Sequence, residues 1–182
     1  MKLPLTYYGN PILRKKGTPI EKITDEIRQL VKDMEETMIG FNGAGLAAPQ
    51  VNRSLALFLT HVENEDEKAP GTEQTAPPVR VFINPKILEY SEELWGYPQG
   101  CLSIPDPNIY GVVFRPIRIK IEATDLEGNR FTEEFSKLSA QAFMHENDHI
   151  NGVLFIDRLQ KKEREQLEPF LRKVKKEYEN TY

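Results

Sequence analysis

Residues 136–152 read SKLSAQAFMHENDHING, and the way this stretch folds decides what the chain is. Ser136 and Ser139 suit a helix start and Asn151-Gly152 suits a stop. The spacing predicts a helix of about three to four turns. On such a helix His145 and His149 stand at i and i+4, one turn apart on one face. Two imidazole nitrogens at that spacing reach one tetrahedral metal ion. Glu146, directly after the first histidine, falls beside the ligands rather than among them, where a general base for water belongs. Leu138 and Ala142 share the face, so it is otherwise apolar and points inward. Two buried imidazoles need partners, and a shared metal satisfies both. An HExxH pattern specifies only three positions and arises by chance on polar helices. The rest of the chain has to weigh in.

A catalytic metal site takes three protein ligands and keeps one position open. The chain has three histidines, His61, His145 and His149, so none follows the pair. Downstream carboxylates at Glu163, Glu165, Glu168, Glu177 and Glu179 are possible third ligands. Upstream stands the only cysteine, Cys101, next to Gly100 in GCLS. A lone cysteine is most often a small buried apolar residue. With HExxH in the same chain, Cys101 is the preferred third ligand. One cysteine also excludes an intramolecular disulfide.

Outside these motifs the chain reads as an ordinary single domain, 1–182, with a real core. Apolar residues make up 39% and charged residues 29%, the balance of a folded globular protein. The net charge of −4 offers no basic field for sequence-specific nucleic-acid binding. No apolar run spans a membrane, and MKLPLTYYGNP is no secretory leader. The expected location is cytoplasmic, or an organelle had a transit peptide been removed.

Ile23, Ile27, Leu30, Val31, Met34 and Met38 keep helical spacing behind a Thr24 or Asp25 cap, predicting an N-terminal core helix. Strands are expected over 55–59, 79–84 and 117–124, the last turning through LEGN into a partner ending near Phe135. A final amphipathic helix is expected after Pro169, carrying Phe170, Leu171, Val174 and Tyr178. Residues 63–78, acidic and proline-rich, read as an exposed loop insertion.

GAGLAAPQ at 43–50, GCLS at 100–103 and HENDH at 145–149, in this order, resemble the three motifs of peptide deformylases. YGNPILRKK, INPKI and NGVLFIDRL carry the resemblance over most of the chain. It implies an α+β fold in which the HExxH-bearing central helix is surrounded by small antiparallel sheets, with an N-terminal and a C-terminal helix. It implies a metal-dependent hydrolase that removes the N-formyl group from the initiator methionine of nascent peptides near the ribosome, releasing formate. Cys101, His145 and His149 match the metal ligands and Glu146 the acid/base. Gln50 and the backbone N–H of Leu102 match the groups that polarise the formyl oxygen. Gly45 matches the glycine that holds the substrate main chain, and Gly43 leaves that loop open for strand-like pairing. Leu138 and Ala142, with Ala44 opposite, are expected to wall the methionine pocket, a role that core packing alone would also explain. The metal implied is Fe(II), while the donor set equally suits Zn(II), Ni(II) or Co(II).

Four positions depart from the family pattern. Gln99 stands where a glutamate is usual and loses an ion pair with a guanidinium such as Arg115. Ala44 replaces a larger aliphatic residue, Asn42 a glutamate, and Asn147 an apolar residue inside HExxH. These bear on rate and preference, not on the ligands. Two rival readings from the residues are an HExxH protease cutting internal peptide bonds, and a non-catalytic metal-stabilised binding module. The carboxylate at Glu146 argues against the second, because a scaffold has no need of it.

Overall fold

The computed structural model describes residues 1–62, 76–179 and 181. Among the described residues, three α-helices, α1 (Asp25–Gly40), α2 (Lys137–His149) and α3 (Lys161–Glu177), accompany seven strands. The strands are β1 (Gly45–Ala47), β2 (Leu57–Thr60), β3 (Arg80–Tyr90), β4 (Leu94–Gln99), β5 (Gly111–Pro116), β6 (Arg118–Thr124) and β7 (Arg130–Ser136). Five of them form one antiparallel sheet in the order β1-β2-β3-β6-β7, and β4 pairs with β5 in a separate ribbon. The architecture is α+β, as expected. Among the described residues no helix is long and apolar enough to cross a membrane.

Apolar patterning explains the layers. In β6, Ile119, Ile121 and Ala123 alternate inward. They meet Phe58, Phe82 and Phe135 of neighbouring strands and Ala140, Phe143 and Met144 of α2. Phe143 inserts edge-on between Phe58 and Phe82, with both ring centroids at 5.0 Å. These contacts seat α2 on the sheet. On the other side α1 buries Val31, Met34 and Met38 against Leu46, Leu57 and Leu59. Thr24 caps α1, its hydroxyl oxygen accepting from the Ile27 N–H at 3.4 Å. A third cluster packs Leu167, Leu171 and Val174 of α3 against Val113, Ile104 and Leu154–Ile156.

Several expected boundaries need correction. The last helix begins at Lys161, not after Pro169, and carries that proline in its interior. The lost N–H costs one helical bond, yet Leu167, Leu171 and Val174 keep one buried face through it. The strand expected to end at Asn84 runs on to Tyr90 through a register shift between Ile83 and Lys86. Asn84 adopts φ +50° there, and its amide makes 2.8 Å bonds with both the N–H and the C=O of Ile20. Strands β1, β4 and β5 had no reading in sequence. Of the expected 63–78 loop, residues 63–75 lie outside the described residues, and 76–78 carry no regular secondary structure.

Candidate active site

Three chain segments converge at one end of α2. The turn of β1 into a short helix at Ala48–Val51 brings Gln50, the loop after β4 brings Cys101, and α2 brings both histidines. The N-terminal strand-like segment ties the first two together: the Thr6 N–H donates to the Gln50 carbonyl at 2.7 Å and the Tyr8 N–H to the Ser103 carbonyl at 2.8 Å. A cavity of about 600 Å³ opens over this junction. Its lining includes Gly43, Ala44, Gly45, Gln50, Cys101, Leu102, Leu138, Ala142, His145 and Glu146.

The ligand atoms of Cys101, His145 and His149 all lie within 4.8 Å of one another. Among the described residues they are the one Cys/His/Asp/Glu group so arranged, so none of the downstream glutamates joins the pair. Cys101 Sγ lies 3.3 Å from His149 Nε2. The two imidazoles are 5.1 Å apart by ring centroid, and the His145 ring lies over Phe155 at 6.1 Å. Burial, with the nearby Arg115 charge adding to it, holds His149 down to about 4, and burial with the facing His149 holds His145 well below its ordinary value. Both rings are therefore neutral lone-pair donors at pH 7. Burial pushes the Cys101 thiol up to about 12. A half-buried thiol beside two neutral imidazoles fits a divalent ion, which takes the place of the thiol proton.

Glu146 is 4% exposed, and its Oε2 accepts no hydrogen bond from any described residue. Burial raises its carboxyl well above the usual range; the Arg115 charge only partly offsets this. Gly45 has a structural reason of its own: a Cβ there would stand 2.5 Å from Glu146 Oε1. Gly43 is similarly confined by Leu102, 3.0 Å from a Cβ. The Gln50 amide is anchored by the Ala47 N–H donating to its Oε1 at 2.8 Å. Its Nε2 then donates to Ser103 Oγ at 3.2 Å and faces Cys101 Sγ at 3.6 Å.

Gln99, the departure noted in sequence, ends β4 and reaches the site. Its Oε1 lies 3.1 Å from His145 Nδ1 and accepts from Arg115 Nη2 at 3.2 Å. The ion pair that Gln99 cannot make, Arg115 makes with Asp148 at 2.8 Å. Arg158 binds the same carboxylate through Nε and Nη2 at 2.6 and 2.7 Å. Sequence reading passed over Asp148, Arg158 and Gln141. The missed signal was spacing: Gln141 precedes His145 by one turn, at i−4, and Asp148 lies inside the motif. His61, the remaining histidine, ends up beyond β2 and outside the ligand group.

The polypeptide deformylase family model matches residues 2–165. The peptide deformylase of Acinetobacter baumannii is 42% identical over 178 residues, covering 97% of this chain and 94% of its own length. That of Bradyrhizobium diazoefficiens is 44% identical over 155 residues, covering 85% and 86%. The crystal structure of Arabidopsis thaliana peptide deformylase 1B matches with a TM-score of 0.85 at 36% identity, over 100% of this chain and 93% of that one. The Plasmodium falciparum peptide deformylase matches at 0.85 and 31%, over 98% of both chains. Agreement of this extent, in sequence and in fold, leaves one conclusion: the chain belongs to the polypeptide deformylase family, hydrolases that remove the N-formyl group from the N-terminal methionine of nascent polypeptides.

Proposed function

We propose that Glu146 is the proton-transfer residue of this deformylase and that Cys101, His145 and His149 hold its single divalent metal ion. The carrying observation is Glu146 itself, a buried carboxyl with an unpartnered oxygen at the cavity floor beside the Cys/His/His group. When bound, the ion supplies the Lewis acidity that makes water a competent nucleophile near neutral pH. Glu146 accepts the proton of the attacking water and returns it to the departing amine, so formate leaves and a free N-terminus remains. The Gln50 amide and the Leu102 N–H hold the charge that develops on the formyl oxygen. Preorganised donors of this kind are worth ~2.7–4 kcal/mol each. The anchoring of Gln50 by Ala47 supports this reading, because a fixed amide needs no reorganisation during reaction.

The segment Gly43-Ala44-Gly45 pairs with the extended peptide, strand against strand. Leu138, Ala142 and Ala44 wall the methionine pocket, and the small Ala44 leaves that groove wider than the family's usual aliphatic residue would. Chain 1–182 works as one catalytic unit with 63–78 as an insertion. The physiological ion is Fe(II), the family's usual metal, although the donor set also takes Zn(II), Ni(II) or Co(II). The enzyme acts in the cytoplasm on chains emerging from the ribosome, where formylated N-termini are first exposed.

The test is formate release from formyl-Met-Ala-Ser by anaerobic, Fe(II)-loaded protein. Wild type releases formate, and Glu146→Ala retains metal but is slower by ~10²–10⁴-fold. Equal rates in the two proteins would remove Glu146 from the mechanism.

A further inference from the structure

Beside His145, on the wall of the same cavity, lies a chain of side-chain amides that is not among the reacting groups. Gln99 and Gln141 are 8% and 3% exposed. Gln141 Nε2 donates to the Trp95 carbonyl at 2.9 Å, and Gln99 Nε2 donates to Gln141 Oε1 at 2.7 Å. Gln99 Oε1 then faces His145 Nδ1 at 3.1 Å and accepts from Arg115 Nη2 at 3.2 Å.

The direction of this chain follows from chemistry at its two ends. A backbone carbonyl only accepts, so Gln141 must turn its NH₂ towards Trp95. Its oxygen is left for Gln99, which must then offer its own NH₂. A guanidinium only donates, so Arg115 independently requires the Gln99 oxygen where it stands. An accepting oxygen at His145 Nδ1 makes that nitrogen the protonated one. Nε2 keeps its lone pair, the one available to a metal.

A glutamate at position 99, usual in this family, presents two equivalent oxygens and needs no such guidance. An amide can be rotated end for end. Rotated, it would point NH₂ at both Arg115 and Nδ1 and select the wrong imidazole tautomer. One oxygen also serves Arg115 less fully than two: Arg115 Nε is buried without a partner among the described residues.

We propose that Gln141 is a positioning residue, which with the Trp95 carbonyl locks Gln99 oxygen-inward and so holds His145 as the Nδ1–H tautomer. This rests on the metal-ligand reading above. Two consequences distinguish it from plain core packing. Gln141→Met removes one of the two partners that orient the Gln99 amide and leaves Arg115 alone to oppose its rotation. Gln99→Glu alone sets a carboxylate oxygen against Gln141 Oε1, acceptor against acceptor, whereas Gln99→Glu combined with Gln141→Met removes the conflict.

The measurement is Zn(II) loss from the loaded 182-residue chain to excess chelator, for wild type, both single variants and the double variant. Each single variant is expected to hold zinc ~10–100-fold less well, while the double variant returns to within about threefold of wild type on that scale. Singles like wild type, or a double variant that merely adds the two losses, would overturn the proposal. Imidazole ¹⁵N shifts of zinc-stripped wild-type protein test it without any substitution: His145 should be protonated at Nδ1, and protonation at Nε2 would sink it. A wild type that binds no zinc and releases no formate contradicts the ligand reading instead, and the ¹⁵N result still decides the relay.

Discussion

His145 and His149 show how burial sets chemistry one side chain at a time. An exposed imidazole takes a proton near 6.5, whereas folded His149 does so only at about 4 and His145 is also held well down. Between those values the unfolded chain binds more protons than the folded one, so stability falls as pH drops through that window. At 1.36 kcal/mol per unit, His149 alone is worth roughly 3 kcal/mol. Glu146 acts oppositely. Its raised carboxyl lets the folded state keep a proton that the unfolded state loses above about 4.5, so it favours the acid side. Two imidazoles outweigh one carboxyl, and metal-free protein should lose stability between about pH 6.5 and 4. Glu146→Gln should lose it more steeply. Urea unfolding at a series of pH values checks both; a flat profile for the variant would refute the assignment.

At the scale of elements, the site depends on how closely β1 approaches α2. Gly45 permits that approach because a Cβ would overlap the Glu146 carboxylate. Gly45→Ala should therefore push Glu146 aside and cut kcat by ~10²-fold or more while the fold persists. Near-wild-type kcat with unchanged circular dichroism would show the carboxylate has room to spare. On the proposed reading the motif GAGLAAPQ places two physical demands on its glycines, an open edge for a peptide and, as the structure shows at Gly45, a close packing partner within the fold. Only the first was readable from sequence. The same limit applies to β4, which Gly96 and Pro98 disguise, and to α3, where Pro169 reads as a boundary although the buried face continues past it. Local propensity is a weak guide wherever packing elsewhere compensates a break.

On the scale of the whole molecule, Asp148 joins parts that are far apart in sequence. It binds Arg115 of β5 and Arg158 of the turn before α3, so one carboxylate holds the ribbon and the C-terminal turn against α2. Arg115 is 4% exposed at its side chain and Arg158 45%. Removing Asp148 strands the buried guanidinium, so Asp148→Ala should cost ~3–5 kcal/mol. Arg158→Ala removes a half-exposed partner and should cost only ~1 kcal/mol. Denaturant unfolding of the metal-free proteins separates the two; equal losses would mean Arg115 is not the stranded charge. The sequence by itself determined the family and the α+β character, because three motifs in a fixed order and the helical and alternating periods are local properties of the chain, and helical periodicity also puts His145 and His149 on one face. Only the tertiary structure decided which acceptor faces which donor: Gln99 with Gln141 and Trp95, Arg115 with Asp148, Gly45 under Glu146. Those pairings join residues 42, 33 and 101 positions apart. No local period encodes them, since they exist only once the sheet, the ribbon and α2 have closed around one another.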